Sequence, residues 1–262
     1  MSVTLSFDNV CLTRGGKSIL NNIDWTVEDN QRWVIVGPNG AGKTSLLKVA
    51  SAQVQPTSGV ATVLGQQLGS TNVFDLRTRV GFASTALVAY IPNSETVLNA
   101  VMTASYAITG RWSEKYEDID ERRARGVLAE WQLADLADRA FGTLSDGERK
   151  RVQLARSVMT DPELLLLDEP VASLDLGARE QTVNLLGEYA SSQYSPAMVM
   201  VTHHLEEIPT GFSHALLLNE GSVVAAGEIS RIITSDLLSE TFGFALEVNK
   251  ENGRYWVRAR KH

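Results

Sequence analysis

Residues 37–44, Gly37-Pro38-Asn39-Gly40-Ala41-Gly42-Lys43-Thr44, constrain this chain more than any other segment. They follow a continuous apolar run, Trp33-Val34-Ile35-Val36, which predicts a strand buried on both faces. They precede Ser45–Ala52, where Leu46, Leu47 and Val49 form one apolar helical face. The segment fits G-x-x-x-x-G-K-[ST]. Its glycines let the backbone wrap around an anion with amides pointing inward, and the following helix adds its positive end. In such a loop Lys43 reaches β- and γ-phosphates, the Thr44 hydroxyl serves Mg²⁺, and residues 37–45, ending at Ser45, line a nucleotide. No G-x-G-x-x-G follows a strand, so a dinucleotide fold fits worse.

A strand–loop–helix unit calls for an α/β sheet, and the chain is large enough for one. It has 262 residues, of which 44% are apolar. The 24 basic residues are outnumbered by 31 acidic ones, a net charge of −7 that repels polyphosphate backbones, so no nucleic-acid partner is expected. Cys11 is the only cysteine, which removes internal disulfides and thiolate metal sites. The best candidate runs, Leu164–Leu167 and Met198–Val201, have the length of buried strands rather than membrane spans. The opening residues lack a basic stretch followed by an apolar one, so a cytoplasmic protein is expected, reaching a membrane only through a partner.

Alternation at Val3, Leu5 and Phe7, then a Gly15-Gly16 turn and Ile19–Val27, predicts a small antiparallel sheet, with a further strand at Val60–Leu64. Between Val88 and Thr160 strand signals fade. Ser94 reads as the cap of a helix carrying Val97 and Val101, and Asp120–Trp131 as another. Strand character returns at Leu164–Leu167, Ala197–Val201, Ala215–Leu218 and Val223–Ala225, with Leu176–Tyr189 a helix between. Asn252-Gly253 marks a closing hairpin. The expected division is an α/β domain over 1–240 with a helical subdomain at about 86–160, and a hairpin extension over 241–262.

Leu164–Leu167 runs into Asp168-Glu169-Pro170. Carboxylates at a strand's carboxyl end lie where ligands sit in parallel sheets, so Asp168 is a candidate Mg²⁺ ligand and Glu169 a candidate to polarise water. Strand ends also use Asp and Glu simply to turn the chain. Ser145-x-x-Glu148 is a capping-box pattern that opens an amphipathic helix, and an ordinary capped helix accounts for it locally.

Taken in order, the phosphate loop, Leu144-Ser145-Asp146-Gly147-Glu148, Asp168-Glu169, Ser173-Leu174-Asp175 and Val201-Thr202-His203 resemble the motifs of an ABC ATPase cassette. The resemblance covers residues 37–203. It implies an α/β P-loop NTPase fold with a RecA-like parallel core, an N-terminal antiparallel β-subdomain and an inserted helical subdomain. It further implies Mg-dependent ATP hydrolysis and a homodimer formed with ATP. In that dimer Ser145, Asp146, Gly147 and Glu148 complete the partner's site, and Asp175 links the two sites. Lys43, Glu169 and His203 take the catalytic roles, with His203 rather than His204 matching the switch histidine. A separate transmembrane permease is the implied partner. The alternatives are a soluble relative serving a non-membrane assembly, such as iron–sulfur cluster formation, and a nucleotide-gated interaction protein with negligible turnover.

Four residues depart from the family pattern. Arg14 stands where an aromatic residue stacks on adenine; it is either a guanidinium substitute or an exposed turn residue. Thr85 is the nearest match to a metal-sensing Gln. Asp146 and Glu148 replace Gly and Gln, and their carboxylates are expected to turn into helix capping or toward Arg149 and Arg151. Tyr90, Trp112 and Tyr116 are weak candidates for contacts with a membrane partner.

Overall fold

The computed structural model describes residues 2–84, 90–106 and 118–260. Thr85, Trp112 and Tyr116 lie outside them.

Two long strands, β1 (Val3–Arg14) and β2 (Lys17–Glu28), form the predicted antiparallel pair around Gly15-Gly16. They join β4 (Ser58–Val63) and β5 (Gln66–Gln67) in a four-stranded sheet ordered β2-β1-β4-β5. The second sheet has six strands. Its order is β10-β9-β3-β8-β7-β6, built from β3 (Arg32–Val36), β6 (Val80–Ser84), β7 (Leu164–Asp168), β8 (Ala197–Val201), β9 (His214–Asn219) and β10 (Ser222–Glu228). All neighbouring pairs are parallel except β9–β10, which returns antiparallel at the edge.

The continuous apolar runs have a direct cause: alternate residues serve two cores. Trp33, Ile35, Leu164, Leu166, Val199 and Val201 pack toward the four-stranded sheet and helix α1 (Lys43–Ala50). Val34, Val36, Leu165, Leu167, Met198 and Met200 pack on the opposite face. Burying one such leucine contributes about 1.5–3 kcal/mol. The first core includes a ladder of edge-on aromatic rings, Phe7 to Trp25 to Trp33, which ends in His214 stacked on Trp33.

The opposite core is closed by helices α3 (Val97–Met102), α4 (Asp118–Glu130), α5 (Asp146–Val158) and α6 (Leu176–Ser191), through such residues as Val101, Leu128, Leu154 and Leu186. A short helix α2 (Val73–Thr78), which the sequence pattern does not signal, leads into β6. Thr96, not Ser94, caps α3: its hydroxyl accepts from the Asn99 amide at 3.2 Å. Two small helices, α7 (Ile229–Ile232) and α8 (Ser235–Phe242), precede the hairpin of β11 (Leu246–Glu251) and β12 (Arg254–Ala259). Its turn places Asn252 and Gly253 at φ 49° and 82°, the left-handed pair that Asn-Gly adopts readily. Among the described residues no helix is long and apolar enough to cross a membrane.

Candidate nucleotide site

The loop after β3 lies against strand β9: a Cβ on Gly37 would fall 1.9 Å from the Leu218 carbonyl oxygen, so only glycine fits there. Gly42 occupies the N-cap of α1 at φ 103° and offers no side-chain cap. The first amides of α1 therefore have no partner from a capping side chain, and with the helix dipole they form a site for an anion. Beside them the Lys43 ammonium, buried within the fold, donates to the Gly37 and Pro38 carbonyls at 2.6 and 2.9 Å. Burial lowers its pKa, while the charges of Glu169 and Asp168 pull the other way. Asn39, Gly40 and Thr44 are exposed, Ala41 is buried, and Pro38 and Ser45 are half-buried.

β7 neighbours β8, which neighbours β3, so parallel register brings the ends of all three strands to one edge. The Thr44 hydroxyl donates to Asp168 Oδ1 at 3.1 Å across a separation of 124 residues. Burial raises the Asp168 pKa, opposed by the Thr44 hydrogen bond and reinforced by the charge of Glu169. Two hard oxygens this close, one a carboxylate, suit a small divalent cation that shares its other positions with phosphates and water.

Glu169 continues the ladder by donating its amide to the Val201 carbonyl at 3.1 Å, then turns at φ 50°. Left-handed backbone at a bulky residue costs free energy and is held by its surroundings. Here the following Pro170 also disfavours the helical alternative. His203 Nδ1 lies 3.3 Å from Glu169 Oε1, while being shielded from solvent and without an aligned hydrogen bond. His204 instead faces Glu206, with Nδ1 3.7 Å from Oε1. The two adjacent histidines therefore face different carboxylates.

Ser145 and Glu148 close a full capping box. The Glu148 carboxylate accepts from the Ser145 amide at 2.7 Å, and the Ser145 hydroxyl accepts from the Glu148 amide at 3.3 Å. That first hydrogen bond holds the Glu148 pKa below its ordinary value. Glu148 thus takes the first of its two expected alternatives, helix capping, and the charges of Arg139 and Arg151 add to the lowering of its pKa. Arg149 donates to the Gly142 carbonyl at 2.7 Å and lies over the Phe141 ring, Arg151 reaches Gln181, and it is Arg139 that approaches Glu148, at 4.0 Å. Asp146 is exposed at the first position of α5, where a negative charge suits the helix dipole. A Cβ on Gly147 would come 2.9 Å from the Ala178 Cβ, so glycine here permits close packing of α5 on α6.

Asp175 caps α6, accepting from the Ala178 amide at 2.9 Å. Arg14 sits exposed at the tip of the β1–β2 hairpin opposite Lys17, and Tyr90 is also exposed. The structure thus unites residues 37–45, Asp168, Glu169 and His203. Residues 145–148 make their hydrogen bonds within their own cap.

Sequence reasoning missed Lys150, a buried cation on α5 that donates to the Glu169 carbonyl at 3.3 Å. It also missed Gln153, whose amide donates to the Ser84 carbonyl and ties α5 to the end of β6. Both lie on the buried face of α5, where a charged or amide side chain at an apolar position is the signal to look for.

The sequence profile of the family described as ABC transporter matches residues 20–172. An ABC transporter ATP-binding protein of Bacillus subtilis, YlmA, itself uncharacterised, is 40% identical over 93% of this chain and 92% of its own length. The hemin import ATP-binding protein HmuV of Rhodococcus jostii is 33% identical over 94% of this chain and 82% of its own. Among solved structures, the ATP-binding cassette MJ0796, dimeric in a post-hydrolysis state with ADP and Pi, superimposes with a TM-score of 0.73 at 22% identity. That match covers 86% of this chain and 98% of the cassette. The chain belongs to the ABC transporter family, as one of its ATP-binding proteins.

Proposed function

We propose that this chain binds and hydrolyses MgATP between two copies of itself and so drives a separate membrane permease. The observation that carries the reading is the convergence at one sheet edge of an uncapped helix start, Lys43, the Thr44–Asp168 pair and the Glu169–His203 pair.

In this reading the amides of residues 37–45 and Lys43 hold the β- and γ-phosphates. Thr44 and Asp168 would hold Mg²⁺, which when bound neutralises phosphate charge. Glu169 orients and deprotonates the attacking water, and His203, held beside it, donates toward the γ-phosphate. The capped start of α5, whose Ser145 and Glu148 are satisfied within their own cap, serves a second copy. There Ser145 Oγ and the Gly147 amide meet the partner's γ-phosphate, with Asp146 and Glu148 turned aside. Asp175 and the exposed Leu176 beside it lie at the junction. Arg14 supplies a flat cation for the adenine face. The helical subdomain, at about 86–160, relays closure to the permease, and the terminal hairpin over 241–262 is an extension. The relatives named above are transport proteins, which gives the non-membrane alternative no support.

Replacing Lys43 with alanine tests the core of this reading. Equilibrium binding of MgATP is expected to disappear while the chain stays folded; retained affinity overturns the assignment of the loop.

A further inference from the structure

Arg254 ties the terminal hairpin to the turn that follows the switch histidine. β11 is fixed to α8 by two serine hydroxyls: Ser239 Oγ accepts from the Leu246 amide and Ser235 Oγ from the Val248 amide, each at 2.9 Å. Tyr255, buried on β12, seats the other strand on the core with Val257 beside it. From this anchored platform Arg254 reaches out in two directions. Its guanidinium grips the Glu180 carboxylate on α6 with both terminal nitrogens, at 3.0 and 3.4 Å, and also donates to the Glu206 backbone carbonyl. Three chain segments meet on one planar group. A guanidinium does this with fixed fork geometry, which an ammonium lacks.

Glu206 lies in the turn Leu205–Glu207 that follows the two histidines. That turn is itself tightly knit. The Thr202 hydroxyl donates to the buried Glu207 carboxylate and accepts from the His204 amide at 3.0 Å. The Glu206 carboxylate lies 3.7 Å from His204 Nδ1 and 4.0 Å from Arg179, and the His204 ring packs on His203 with centroids 4.2 Å apart. His203 in turn lies against Glu169. The other branch ends on α6, the helix that Asp175 caps.

We propose that Arg254 is a positioning residue for hydrolysis: it clamps the Leu205–Glu207 turn to α6 and thereby sets where His203 stands relative to Glu169. The proposal rests on the ATPase reading above. It gives the hairpin a task in the reaction, acting through the turn rather than on ATP. Because Arg254 touches neither the phosphate loop nor Asp168, nucleotide affinity is outside its reach.

The test uses the full chain with Arg254→Ala and Arg254→Lys, comparing MgATP turnover, MgATP affinity, thermal unfolding and the ring-proton NMR signals of the histidines. Arg254→Ala is expected to lower kcat roughly fivefold with KM unchanged. Its His203 and His204 signals shift, while His214, stacked on Trp33 in β9, stays put as an internal reference. Arg254→Lys, which keeps the charge and loses the fork, restores part of kcat and covers the case in which the alanine variant does not fold. An active wild type whose Arg254→Ala and Arg254→Lys variants both turn over at the wild-type rate overturns the clamp, as does a loss of kcat with both histidine signals unmoved. A wild-type chain that neither binds nor hydrolyses MgATP instead removes the ATPase reading, and the clamp with it.

Discussion

The phosphate-loop edge of the sheet and the start of α5 are both shaped for an anion, and they differ in how complete they are. At the sheet edge the helix α1 begins on Gly42 with no side-chain cap. Its neighbours Lys43, Asp168 and Glu169 are drawn together from distant parts of the sequence by parallel strand register. The start of α5 is the reverse case, since a capping box already satisfies Ser145 and Glu148 locally. On the proposed reading the first region holds its ligand by itself. The second is rigid and pre-formed, and on the reading proposed here it acts only when presented to another copy.

Variants can break or sharpen that contrast. The largest effect is expected from Glu169→Gln: turnover falls about 10²- to 10⁴-fold, the range for losing a general base, while MgATP still binds. Wild-type turnover in this variant, measured by phosphate release, would remove Glu169 from the chemistry. Next comes Ser145→Ala. Loss of the cap costs about 1 kcal/mol and loss of a donor lowers turnover about 10²-fold, yet a dilute chain should bind MgATP as before. A matching loss of single-chain affinity by calorimetry would erase the distinction between the two regions.

Asp168→Asn is expected to move stability and function in opposite directions. Burial raises the folded pKa of this carboxyl, so its contribution to stability falls as pH rises through that value, and at neutral pH the charge is a burden. Asparagine keeps an acceptor for Thr44 and removes the charge. Scanning calorimetry of the nucleotide-free chain should show a melting temperature higher by about 2–4 °C, with Mg-dependent ATP affinity reduced. The smallest effect belongs to Glu148→Gln, since glutamine also completes a capping box. At neutral pH the change should stay within about 0.5 kcal/mol. Glu148 has a lowered pKa in the fold, so wild-type stability from this group is present above the unfolded value and fades as pH falls through the folded one. The variant should show less acid sensitivity in denaturant titrations.

The α/β core was legible because its signals are local and repeated. Apolar runs of four residues, one entering Asp168 and one leading into Gly37, leave few other arrangements, and the Asn252-Gly253 turn names its own geometry. The capping box around Ser145 was equally plain. What the pattern hid depends on tertiary contact. Helix α2 is short and has only Leu76 buried, so it carries little periodicity. The start of α3 fell at Thr96 because either Ser94 or Thr96 satisfies the composition rule and only packing chooses between them. The partners of Arg149 and Arg151 were hidden for the same reason. Adjacent positions on a helix face different neighbours, and Phe141 and Gln181 come from segments whose approach no spacing reveals. Lys150 escaped because a lysine in a helix ordinarily faces water.

An α1 that starts without a cap has a thermodynamic corollary. If the triphosphate supplies what the side chains omit, it becomes a structural component of the folded state. Stability then tracks free MgATP logarithmically, gaining about 2.7 kcal/mol at a hundredfold excess over the dissociation constant. Amide hydrogens of residues 40–46 would exchange with solvent many times more slowly in the loaded chain than in the empty one. Depletion of cellular ATP would then loosen the same turn that fuels the transporter, making this stretch of backbone a gauge of the energy supply.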